Sequence, residues 1–147
     1  WRSRAGKVVF GSDRVEQAGM AYTLASGTLA DGKRQRKLLV MQPDAKRGGY
    51  IMGSFPLQTL GPRPRFSATV GMLRGAPAKA GASFELQVRE GKRVTTVSKK
   101  KVRGKGQATL RADLSRWGGK RVQLILKVQP IKDSPAAPAV WVDPRLR

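Results

Sequence analysis

The 147-residue chain contains no cysteine and no histidine. Zinc, haem and iron–sulfur sites depend on these side chains, and so do the common catalytic triads. Their absence excludes disulfides, most transition-metal centres and most nucleophilic catalysis. Acidic residues are also scarce, with 9 Asp and Glu against 30 Lys and Arg, so the formal net charge at pH 7 is +21.

The few carboxylates offer little for acid–base chemistry. Glycoside hydrolysis needs two carboxylates that face each other across a cleft. Most carboxylates here stand beside predicted turns or on the polar side of predicted strands, as Asp31, Glu85 and Asp113 do. Neither a phosphate-binding glycine loop nor a dinucleotide fingerprint is present. We therefore predict a protein that is not an enzyme and holds no metal and no cofactor.

Long hydrophobic runs are missing as well. No window approaches the ~18 consecutive apolar residues of a transmembrane helix, so no transmembrane segment is expected. The chain begins with Trp1 rather than Met, which we interpret as the start of a processed product or of an excised segment. A targeting peptide is therefore not visible at this end.

The sequence does contain the two-residue period of β-strands. Apolar and polar residues alternate over 65–72, 84–89, 107–114 and 121–128, and weaker strand patterns cover 7–10, 20–24, 36–42, 50–52 and 139–142. Alternation of this kind predicts strands with one buried and one solvated face. We predict an all-β fold, an antiparallel two-sheet β-sandwich that forms a single domain over 1–147.

The segments between these strands have predicted roles of their own. Glu90-Gly91-Lys92 is typical of a tight hairpin turn, and the proline-bearing stretch 130–138 is expected to cross from one sheet to the other. The proline at Trp141-Val142-Asp143-Pro144 is expected to end the last strand, because proline cannot donate to a ladder. Residues 1–6 are expected to form an arm or a linker remnant.

Several motifs recur in a known family in the same order. They are Arg65–Gly71, Gly81–Val88 with Glu90–Lys92, Asp113–Lys120, Val122–Leu126 and Trp141–Leu146. From about residue 48 to 147 the chain resembles the carbohydrate-binding-module-like jelly rolls and their galactose-binding-domain-like relatives. The resemblance implies a jelly-roll sandwich that is secreted or lies at the cell surface. The loop 131–138 departs from the family pattern in having one acidic residue, Asp133, so no calcium or sugar site is expected there.

Basic residues concentrate in two stretches. A small domain needs a net charge of only about 2–8 for solubility, so the excess indicates attraction to a polyanion. If 92–98 is a strand and 99–106 a loop, several of these charges share one edge, although lysines there could instead prevent edge-to-edge pairing. The candidate polyanion-binding residues are Arg89, Lys92, Arg93, Lys99, Lys100, Lys101, Arg103 and Lys105 in the first stretch, and Lys33, Arg34, Arg36 and Lys37 in the second.

We predict an extracellular or surface module that binds a polymeric, anionic glycan without catalysis. Trp117 and Tyr50 are candidates for stacking against sugar rings, while Trp117 could instead cover the edge of the sandwich. A first alternative is a structural subunit of a surface layer, filament or larger multidomain assembly with an acidic partner. A nucleic-acid-binding coat is the third interpretation, after the glycan-binding module and the assembly subunit. It is less favoured because a chain with 4 Phe, 3 Trp and 2 Tyr offers few stacking platforms for bases.

Overall fold

A computed structural model describes residues 1–3, 6–7, 10–11, 19–43 and 49–147. The predicted strand at 7–10 therefore lies partly outside the described residues. Within them the chain forms β-strands and one 3₁₀ turn, Ser115–Trp117. The strands are β1 (Arg2–Ser3), β2 (Gly6–Lys7), β3 (Met20–Thr28), β4 (Arg34–Gln42), β5 (Ile51–Ser54), β6 (Gln58–Thr59), β7 (Arg65–Met72), β8 (Gly81–Glu90), β9 (Arg93–Arg103), β10 (Gln107–Asp113), β11 (Arg121–Pro130) and β12 (Ala139–Leu146).

The strands form two antiparallel sheets. One has seven strands in the order β2-β1-β5-β11-β8-β9, with β6 also paired to β11, and the other has five in the order β10-β7-β12-β4-β3. Residues 131–138 carry the chain from β11 in the first sheet to β12 in the second, as predicted. The predicted all-β two-sheet sandwich is confirmed.

The core lies between the sheets and is centred on Trp141, which is fully buried. Phe84 of the seven-stranded sheet meets its ring edge-on at a centroid distance of 5.3 Å, and Phe66 does so from β7 at 6.4 Å. Edge-to-face aromatic pairs add stabilisation beyond the area that they bury. Trp141 therefore joins the two sheets through a specific packing contact.

The first residues join the seven-stranded sheet instead of forming the expected arm. Arg2 and Ser3 pair with Met52 and Ile51 of β5, and the Trp1 ring lies against Gly53. A Cβ on Gly53 would stand 2.4 Å from that ring, so only glycine leaves room for it. Trp1 and Gly53 are far apart in the sequence, so the alternation of apolar and polar residues along a strand could not predict this contact.

Strand β9 is longer than predicted. It runs to Arg103 instead of ending at residue 98, because its pairing with β8 continues through Glu85↔Lys99 and Phe84↔Lys100. Lys99, Lys100 and Lys101 are therefore strand residues and not loop residues. Since side chains alternate along a strand, they do not all share one face of the sheet.

Pro144 does not end the last strand. β12 continues to Leu146 through a β-bulge at residues 143–144, where its pairing with β7 shifts from Val142↔Thr69 to Arg145↔Ser67. A bulge inserts one extra residue and leaves the ladder locally open, so the missing N–H of proline is tolerated there. The bulge also inverts the alternation, so that Arg145 lies on the outer side of the sheet with Val142, and Leu146 packs against the core.

The hairpin of β3 and β4 folds back across the outer face of the five-stranded sheet. Met72, Ala139 and Met41 are paired neighbours on β7, β12 and β4. From Met41 back to Arg34, β4 runs toward the opposite end of the sheet, so a straight β4 would carry the hairpin tip away from Met72. Instead the Ala30 N–H donates to the Met72 carbonyl at 2.9 Å, and the side chain of Gln107 donates to Asp31 at 2.6 Å. The tip is thus fixed above the C-terminal end of β7 and the N-terminal end of β10.

A second apolar cluster fills the space under this hairpin. Leu38, Val40, Val140 and Val142 lie on the outer side of the sheet and are buried together with Leu29 from the hairpin tip. Burial of such side chains contributes about 1.5–3 kcal/mol each. The hairpin therefore covers one half of the outer sheet face and leaves the other half open.

Candidate functional site

The open half of the outer face holds a pocket of about 720 Å³. β7, β10 and β12 form its floor, and the returning hairpin segment Arg34–Lys37 forms one wall. Six of its lining residues are cations, and Asp143 is the one acidic residue among them. The cations are Arg34, Arg36, Lys37, Arg111, Arg145 and Arg147.

Strand register arranges the floor of this pocket in rows. Arg111, Ser67 and Arg145 pair across β10, β7 and β12. The two arginines therefore stand two strand spacings apart, which is about 9.6 Å between backbones, with a hydroxyl between them. Thr109 and Thr69 pair in the next row. The floor thus presents positive charges together with hydroxyl groups.

Two further pockets adjoin the first and share Arg111 with it. One of about 600 Å³ is lined by Arg65, Asp113 and Arg147, and one of about 630 Å³ by Lys99, Lys100 and Thr109. Because Arg111 lines all three, they form one continuous surface, which we call the basic track. The track collects nine cations against two carboxylates, Asp113 and Asp143.

Asp143 is held by two of these cations. Its carboxylate lies 2.5 Å from the Arg145 guanidinium and 3.9 Å from the Lys37 ammonium. The hydrogen bond from Arg145, with the positive charges of Arg145, Lys37 and Arg147, holds the pKa of Asp143 below its ordinary value. Asp143 is therefore ionised at neutral pH and acts only as a hydrogen-bond acceptor.

Five of the twelve predicted polyanion-binding residues line the basic track, and seven do not. Arg34, Arg36 and Lys37 line the first pocket of the track, and Lys99 and Lys100 line the third. The two predicted stretches thus meet through Arg111. The remaining seven line none of these three pockets: Lys33, Arg89, Lys92, Arg93, Lys101, Arg103 and Lys105.

Some of the predicted charge is neutralised on the seven-stranded sheet. Lys99 lies 3.0 Å from Glu85, whose side chain is largely buried. Burial alone would raise the pKa of Glu85, yet the hydrogen bond from Lys99 and the charges of Lys127 and Lys99 hold that pKa below its ordinary value. Lys99 therefore has a structural partner in addition to its place beside the track.

Neither aromatic candidate offers a free stacking face in the track. Trp117 is buried in the core with 5% of its surface exposed, and the Arg116 guanidinium lies over its ring at 5.2 Å. The Lys127 ammonium lies over one face of the Tyr50 ring at 5.1 Å, and Tyr50 lines none of the three pockets of the track. The burial of Trp117 agrees with its alternative role, in which it covers the edge of the sandwich and does not stack on a sugar.

Sequence reasoning did not select four arginines of the track. Arg65 and Arg111 stand on the polar side of predicted strands, so strand alternation did contain a signal for them. Arg145 and Arg147 could not be found in this way, because the bulge that turns Arg145 outward is unexpected after Asp143-Pro144. The positions of Arg145 and Arg147 depend on the pairing of β12 with β7, which is known only from the tertiary structure.

Within the described residues, none of the helical segments has the length and apolar character to cross a membrane. The same part of the chain contains no group of three or more Asp or Glu residues placed to hold a metal ion.

The sequence matches no family model and no curated protein. Its structure is similar to the CBM22-1 xylan-binding domain of Paenibacillus barcinonensis Xyn10C, with a TM-score of 0.51 and 15% identity over 91% of this chain and 83% of that chain. The CBM22-2 domain of the same protein gives 0.50 and 11%, over 92% of each chain. TmCBM61, solved with β-1,4-galactotriose, gives 0.50 and 12%, over 80% and 74%. These similarities confirm the carbohydrate-binding-module-like jelly-roll fold that the motifs indicated.

Proposed function

We propose that this protein is a non-catalytic module that binds a polymeric, anionic glycan along the basic track. The observation that carries the proposal is the place of Arg111 in three adjoining pockets that together hold nine cations. Arginine presents a planar fork of donors that matches carboxylate and phosphate groups. Such a surface attracts a chain of negative charges more strongly than it attracts one small anion.

The floor of the track supports a sugar polymer as the ligand. Ser67, Thr69 and Thr109 supply hydroxyl groups that both donate and accept hydrogen bonds. The fold is shared with modules whose structures are described as xylan-binding or as complexes with a galactotriose, which favours a glycan ligand here too. A ligand of this kind fits a secreted or surface-exposed protein, as the resemblance implies.

Calorimetric titration with alginate and with heparin tests the proposal. At about 50 mM salt exposed charges still interact over more than ~10 Å, and we expect both polymers to bind with affinities that fall steeply as salt rises. Arg111→Ala should weaken binding about tenfold or more, since a hydrogen bond to a charged group contributes about 1.5–3 kcal/mol. The matched control is Arg121→Ala, which removes an exposed cation of the seven-stranded sheet.

Three results would contradict the proposal. The first is no binding of either polymer at low salt. The second is an equal loss of affinity in Arg111→Ala and Arg121→Ala, which would mean that net charge alone attracts the ligand. The third is concentration-dependent polymerisation, seen by light scattering and unaffected by added glycan, which would favour the assembly subunit.

A further inference from the structure

We infer that the ligand carries free hydroxyl groups beside its acidic groups, as a polyuronate does, because Asp143 is a hydrogen-bond acceptor built in among the cations of the track. This inference rests on the proposed function and specifies its ligand class. A polymer whose charged chain has no hydroxyl donors, such as polyphosphate, lacks a partner for Asp143. The two ligand classes therefore respond differently to the loss of this carboxylate.

The backbone holds Asp143 in this position. Its φ of 48° lies in the left-handed region, which non-glycine residues other than Asn and Asp rarely adopt. The bulge that contains it also turns Arg145 outward. One local irregularity thus places an acceptor and its cationic neighbour in the same pocket.

The carboxylate of Asp143 has acceptor positions to spare. Two carboxylate oxygens offer about four lone-pair positions, while the ion-pair partners of Asp143 among the described residues are Arg145 and Lys37. The side chain is 34% exposed and lines the first pocket. A ligand hydroxyl in the pocket can therefore donate to Asp143.

Charge and hydrogen bonding then select the ligand together. A polyuronate brings carboxylates to Arg111, Arg145 and Arg147, and its ring hydroxyls reach Asp143 and Ser67. Polyphosphate meets the same arginines, and Asp143 repels its charges as it repels the carboxylates of a polyuronate, but polyphosphate has no ring hydroxyls whose hydrogen bonds to Asp143 offset that repulsion. The pocket thus favours a carboxylated glycan over a phosphate polymer.

The variant Asp143→Asn tests this, because its effects on the two ligand classes should differ in size. Asparagine tolerates the left-handed conformation, so the bulge is retained while the negative charge is lost. We expect polyphosphate to bind several-fold more tightly to the variant, and alginate to gain clearly less, because its hydroxyls exchange a charged acceptor for the weaker neutral amide oxygen. The control is Asp113→Asn in the neighbouring pocket, whose Oδ1 already accepts from Ser115. This variant should shift both affinities by about the same factor.

A ligand-side experiment does not depend on the folding of any variant. O-acetylation of alginate blocks its hydroxyls and leaves its carboxylates intact, so it should weaken binding to the unmodified protein several-fold. Unchanged affinity for acetylated alginate would overturn the inference, and so would an equal gain in the affinity of both polymers for Asp143→Asn. In either case unmodified alginate still binds and the proposed function stands, whereas failure of alginate and heparin to bind at all would contradict the proposed function itself.

Discussion

Lys37 and Asp143 face each other across β4 and β12, and both have left-handed backbones, with φ of 56° and 48°. They flank the paired residues Leu38 and Val142, and their side chains approach to 3.9 Å. At this level β4 leaves the sheet as the returning hairpin, and β12 bulges. Two departures from regular strand geometry thus stand side by side, and both shape the basic track.

Relief of the left-handed conformation at Lys37 should be measurable. We expect Lys37→Gly to be more stable than Lys37→Ala by about 1 kcal/mol, since a Cβ in this conformation costs roughly 1–2 kcal/mol. Both variants lose the ion pair with Asp143, so their difference isolates the backbone. Chemical denaturation gives the two free energies of unfolding, and equal values would contradict the assigned conformation.

The hydrogen bond between Asp31 and Gln107 should hold the hairpin tip against the sheet. Gln107→Ala removes it and leaves the hydrogen bond from the Lys33 N–H to Asp31 in place, and we expect a loss of about 0.5–1.5 kcal/mol. Hydrogen exchange should rise at Ala30, whose N–H bonds to Met72, more than at Val70 in the sheet. A uniform rise at both positions would show that the tip is not a separate local contact.

Leu29 should anchor the hairpin through the apolar cluster beneath it. Leu29→Ala is expected to cost about 2–5 kcal/mol, the range for truncation of a buried leucine. It should also weaken alginate binding, because Arg34 and Arg36 stand on the wall that this cluster supports. The control is Leu57→Ala, since Leu57 is exposed and its truncation should change neither property.

Glu85 should make stability depend on pH in the acid range. Its pKa lies below the ordinary value of 4.5 in the folded protein, so the ionised form favours folding. The stabilisation is fully present above pH 4.5 and is lost as pH falls through the lower folded pKa. The melting temperature of Glu85→Gln should therefore lie below that of the unmodified protein at pH 7, and the gap should narrow at acid pH.

The comparison for this pH experiment is Glu90→Gln. Glu90 forms an ion pair with Lys120 at 2.9 Å, but both side chains are nearly half exposed, and exposed pairs contribute little. A melting-temperature gap for Glu85→Gln that stays constant from pH 7 to pH 3 would contradict the assignment.

Strand alternation predicted much of the fold and part of the site. It predicted β7 and β10 and placed Ser67, Thr69 and Arg111 on the outer face, because the direction of a side chain in a strand depends only on its parity. It could not rank Arg111 above the many other basic residues. Charge density favoured the run at 99–105 instead, although only Lys99 and Lys100 of that run line the track.

The sequence by itself determined the strands, their buried sides and the excess of positive charge, since these depend on local period and composition. Tertiary structure alone decided which charges meet. The bulge after Val142 reversed the parity of Arg145, and the bend at Lys37 brought Arg34 and Arg36 over the sheet. Both depend on pairing between segments far apart in the chain, which no local pattern of residues encodes.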